Sequence, residues 1–144
     1  MSNPLASFLA LESDERRIVL QAMVMLPAMV LRLRRHGYKA ALAQVEQTRM
    51  GSAGRLSQYR IGTLFQIGVR RTPVNGACLA QSLVLLRLLR LNGLDGHVEI
   101  GVRREDGEFK AHAWVEDADG YPVNDRVDIT DDYADFDLGR MAST

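Results

Sequence analysis

The sequence predicts an α+β domain in which helices pack on a short antiparallel sheet. Two observations carry this. Apolar residues run at helical spacing, with helix start and stop signals, as far as Leu91, and after Gly96 the period changes to two. At 144 residues, 47% apolar and 25% charged, the chain reads as a single domain able to bury roughly two-thirds of its unfolded surface. Its first part, 1–71, is mainly helical; 72–144 holds a further helix and the strands.

Ser13, followed by Asp14 and Glu15, reads as the N-cap of a long buried helix reaching Leu33. Pro27 is expected to kink it and His36-Gly37 to stop it. A second helix is expected from Tyr38 to Arg49. Gly51, Gly54, Gly62 and Gly68 mark Met50–Thr72 as a loop followed by a short helix. After Asn75-Gly76, Ala77–Leu91 is apolar almost all round and closes at Asn92-Gly93, as the central helix of a fold does. Cys78, Gln81 and Ser82 share one face of it, and Arg87 and Arg90 share another that can reach solvent.

Val98, Ile100 and Val102 alternate with Glu99, Gly101 and Arg103. Asp106-Gly107 then turns a two-residue hairpin. On the return strand Phe109, Ala111, Ala113 and Val115 face one way, and Lys110, His112, Trp114 and Glu116 the other. A third strand is expected over Tyr121–Ile129, and a loop or short edge element over Asp128–Asp137.

The zero formal net charge argues against nucleic-acid binding, although 11 basic residues against 4 acidic ones up to Arg71 give way to 7 against 14 beyond it. Ile18–Leu33 is interrupted by Gln21, Pro27 and Arg32 and falls short of a membrane span. It has no signal-peptide cleavage pattern after it. With one cysteine there is no internal disulfide, and Cys78, His36, His97 and His112 lack the paired spacings of structural zinc sites. The cytoplasm is the expected compartment. His97 reads as a surface residue and His36 as a complement to a helix dipole. Met23, Met25 and Met29 read as core filling.

Cys78 falls in the first turn of a helix, where the macrodipole and unsatisfied N–H groups favour a nucleophilic thiolate and can hold an oxyanion. His112, opposite Gly101 in a two-residue hairpin, is the candidate general base and acid; the glycine leaves room for substrate. A four-residue loop over Asp117–Gly120 pairs Glu116 with Tyr121 and His112 with Asp125, the candidate orienting carboxylate. A one-residue change of loop length makes Asn124 the alternative. Trp114, on the face of His112, either roofs the cleft over substrate or packs on a helix. Asn75 is a further candidate for contacting substrate. No metal or cofactor is needed for such chemistry.

Asn75-Gly76-Ala77-Cys78-Leu79, the Leu-rich helix to Gly93, Ile100-Gly101-Val102, Ala111-His112-Ala113-Trp114-Val115-Glu116 and Val123-Asn124-Asp125 together resemble the transglutaminase-like cysteine peptidases of lasso-peptide biosynthesis, over about 72–128. The resemblance implies a transglutaminase-like or papain-like core with Cys78 as nucleophile, His112 as base and acid, and Asp125 as orienting acid. It implies removal of the leader from a ribosomally made precursor peptide. At 144 residues the chain is expected to be the split form, without a fused leader-recognition domain. The resemblance therefore implies a separate leader-recognition protein as partner and an ATP-dependent macrolactam synthetase downstream. Acyl transfer to an amine and non-catalytic precursor binding are the competing functions.

Overall fold

The computed structural model describes residues 4–72, 78–123 and 134–135. Along them run α1 (Pro4–Leu9), α2 (Ser13–Glu46), α3 (Gln58–Arg71), α4 (Cys78–Leu91), β1 (Gly96–Glu105), β2 (Glu108–Asp117) and β3 (Ala134–Asp135). The class is α+β, as the sequence predicts.

The start of α2 differs by one residue from expectation, with Glu12 rather than Ser13 at the cap, its N–H donating to Glu15 Oε1 at 3.2 Å. The backbone stays helical through Pro27. The break falls at Gly37, whose φ of 81° and ψ of 176° leave the helix, a conformation open to glycine at little cost. Ile18, Val19, Ala22, Leu26 and Met29 form the stripe that α2 buries, whereas Leu20, Val24 and Leu31 are exposed. The helix is therefore amphipathic rather than wholly buried.

Helix α3 starts at Ser57, whose side chain accepts from Arg60 N at 3.2 Å. It lies tight against α2, because a Cβ on Gly68 would stand 2.8 Å from both Ala22 Cβ and Val19 O. Arg60 Nε reaches back to Glu15 Oε2 at 2.6 Å, and Arg55 bonds Asp14. These guanidinium groups hold the Glu15 and Asp14 carboxyls below their usual range.

Helix α4 is the centre of the fold, packed on α2 and α3 and on β1 and β2. It buries Leu83, Val84, Leu85, Leu86, Leu88 and Leu89, each contributing about 1.5–3 kcal/mol of gross apolar burial. Its end is sealed by Gly93, with φ 77°, and by Leu94 N donating to Leu89 O at 2.9 Å. Arg90 does not turn to solvent as its helical position suggests. Its side chain is 19% exposed and its guanidinium donates to Thr48 O at 3.2 Å, tying α4 to the residues after α2.

The hairpin has the register read from the sequence, Gly101 opposite His112, turning on Asp106 (φ 53°) and Gly107 (φ 82°). The pair of positive φ values is what a two-residue hairpin of this twist requires. The short edge element is β3, which pairs with the far side of β1 to give the order β2-β1-β3. No helix among the described residues is long and apolar enough to cross a membrane.

Candidate active site

Cys78 is the first residue of α4 and is half-buried. Its Sγ accepts a hydrogen bond of 3.3 Å from the backbone N–H of Ala113. That nitrogen belongs to the peptide joining His112 to Ala113. The sulfur therefore lies no more than about 6 Å from the Cα of His112. The contact follows from strand geometry. Backbone groups of alternate residues point to opposite edges of a strand, and those of Ala113, Val115 and Asp117 point away from β1. On that outer edge Val115 O accepts from Val123 N at 2.8 Å and Asp117 N donates to Tyr121 O at 2.9 Å. At Ala113 the edge partner is the cysteine sulfur, so the start of the central helix abuts the strand beside the histidine.

His112 is half-buried, the first residue of β2 from its tip to leave full exposure. Its ring stacks on Trp114, with centroids 5.7 Å apart and planes at 28°. Trp114 is 1% exposed and donates its Nε1–H to Glu116 Oε2 at 2.9 Å. A ring so enclosed offers no free face to a peptide here. It is the ring on which the imidazole stacks. Gly101, opposite His112, is buried between β2 and β3.

Asn75, Asn124 and Asp125 lie outside the described residues. The register next to them is visible and differs by one: Glu116 bridges Pro122, not Tyr121. The reason is the carboxylate of Asp117. It accepts from the N–H groups of Asp119 and Tyr121, both at 2.9 Å, and draws one more residue into the turn. The Tyr121 N–H above all, then that of Asp119 and the Gln58 amide, hold the Asp117 carboxyl below its usual range.

Gln81 and Ser82 share the face of Cys78 by sequence; Ser82 is fully buried and its hydroxyl has no hydrogen-bond partner among the described residues. Sequence reasoning missed the backbone bond to Cys78, which no side-chain pattern announces, and the Trp114–Glu116 bond. The second was findable: two residues apart on one strand face, an indole donor and a carboxylate meet.

The arrangement places a thiol at a helix start, a backbone donor on its sulfur and an imidazole in the adjoining residue, the parts that acyl transfer through a thioester uses. No curated protein and no solved structure matches the chain. The family model described as the transglutaminase-like superfamily matches residues 20–136, a span that includes α3, α4, the hairpin and β3. The chain belongs to the transglutaminase-like superfamily.

Proposed function

We propose that the chain is a cytoplasmic cysteine peptidase that removes the leader from a lasso-peptide precursor, with Cys78, His112 and Asp125 as its triad. The observation that carries it is the Cys78 Sγ bond to the His112–Ala113 peptide. The sulfur next to the His112 peptide supports reading the two residues as nucleophile and base, and the motif resemblance supplies the substrate class.

In the first half-reaction His112 takes the thiol proton and the sulfur attacks the scissile carbonyl carbon. A C–S bond forms and the carbonyl electrons move to oxygen. Their return breaks the C–N bond, and the imidazolium gives its proton to the leaving amine. Water, deprotonated by His112, then attacks the thioester carbon. The C–S bond breaks and the leader leaves as a carboxylate. Asp125, assigned by the motif resemblance, orients the imidazole, and Trp114 stacks on it. The core peptide leaves with a free α-amino group, the nucleophile that macrolactam formation needs. The leader is presented by a separate recognition protein, and a macrolactam synthetase follows.

Mass spectrometry of a precursor with a lasso-type leader, incubated with its leader-recognition protein and this chain, tests the reading. One defined cut that disappears with Cys78→Ala is expected. An amine adduct in place of the hydrolysed leader would make the chain an acyltransferase; binding without any cut would make it a non-catalytic module.

A further inference from the structure

At the base of the hairpin, on the strand face that carries His112, a second cluster lies outside the proposed chemistry. His97 and Glu116 are direct cross-strand partners, and Glu99 follows two residues along β1 on the same face. His97 Nε2 stands 3.0 Å from Glu99 Oε1 and 3.3 Å from Glu116 Oε1. One ligand atom from each of the three lies within 4.8 Å of the other two.

We propose that His97, Glu99 and Glu116 bind one divalent transition-metal cation of the zinc and cobalt type. An imidazole nitrogen with two carboxylate oxygens is a donor set for such ions. Metal–ligand bonds of 2.0–2.2 Å at tetrahedral angles put neighbouring ligand atoms about 3.3 Å apart, the spacing seen from His97 to each glutamate. Three protein ligands leave a position open for water.

The electrostatics point the same way. Two of the three ligand groups are carboxylates. One belongs to Glu116, whose side chain is only 10% exposed. A divalent ion would take one oxygen from each and offset both charges at once. The remaining oxygen of Glu116 accepts from Trp114 Nε1, an outer hydrogen bond of the kind that orients metal-binding carboxylates. His97 is half exposed, which gives the ion a way in. The bound ion would join β1 to β2 two residues from Trp114, and so brace the ring on which His112 stacks.

The test uses the full-length, tag-free Cys78→Ala chain, so that no thiol competes for metal, titrated with zinc chloride by calorimetry and with cobalt chloride by visible absorption. One equivalent is expected to bind with micromolar affinity, and saturating zinc to raise Tm by about 4–8 °C. His97→Asn and Glu99→Gln, both at partly exposed positions, are each expected to weaken binding at least about tenfold and to change the cobalt spectrum. Absence of binding at millimolar zinc, or binding indifferent to both substitutions, would overturn the site. The experiment reads no peptide cleavage, so it stands or fails apart from the peptidase reading.

Discussion

From Glu108 to Ala111 every side chain of β2 is exposed, Phe109 at 75%, whereas from Ala113 to Asp117 every one is buried. His112 stands at the boundary. The inner half has the helices beneath it: Val115 enters the apolar core on one face, and Trp114 and Glu116 bond to each other on the other. The outer half is held by pairing with β1 and by a two-residue turn. His112 at this boundary has a backbone fixed by the core and a side chain that is only half-buried, the placement that a proton-transferring imidazole would need. Loss of the inner half should unfold the protein; loss of the outer half should leave it intact.

The sharpest way to break this contrast is Trp114→Ala. It removes the largest fully buried side chain of the described residues and is expected to cost about 3–5 kcal/mol, read as a fall in the urea midpoint at unchanged slope. Gly68→Ala tests whether the helical layer under the hairpin is as tightly fitted. Backbone and Cβ atoms of α2 stand in the way of the added methyl, so a loss of about 1–3 kcal/mol is expected.

A smaller effect is expected from acid. The Asp117, Asp14 and Glu15 carboxyls are all held low in the folded chain. Their contribution to stability is therefore complete above the ordinary carboxylate range and disappears as pH falls through the lowered values. Urea midpoints measured down through that range should decline, and Asp117→Asn should flatten the decline; an unchanged profile would remove Asp117 from the account.

Phe109→Ser, at the exposed tip, should shift stability by no more than about 0.5 kcal/mol. Ser82→Ala should likewise be neutral or slightly stabilising, because the buried hydroxyl finds no partner among the described residues. A loss above 1 kcal/mol, on the order of one hydrogen bond, would reveal a bond to that hydroxyl.

Periodicity made the hairpin legible down to its register, because alternation and Asp106-Gly107 leave one pairing that keeps both faces consistent. The central helix was legible as well, from its continuous apolar run and the Asn92-Gly93 stop. The inside–outside gradient along β2 was not: Phe109 and Val115 have the same parity, and only the position of the helices beneath decides which is covered. Exposure of Leu20, Val24 and Leu31 escaped for a similar reason, since an apolar residue carries no mark of lacking a neighbour. At the site, residue chemistry singled out Cys78 and His112, and the structure brings the sulfur to the His112–Ala113 peptide. The turn after β2 is one residue longer than expected because Asp117 caps it with two backbone hydrogen bonds, and strand alternation says nothing about such a turn.

The central claim is that Cys78 and His112 act as one unit at the point where β2 leaves the core. Alkylation of Cys78 by iodoacetamide at neutral pH, followed by intact mass, tests it without any substrate. His112→Gln is expected to slow the reaction by about tenfold or more, since the imidazole no longer draws off the thiol proton, while Phe109→Ser leaves the rate unchanged. Equal rates in the wild-type chain and His112→Gln would contradict the account.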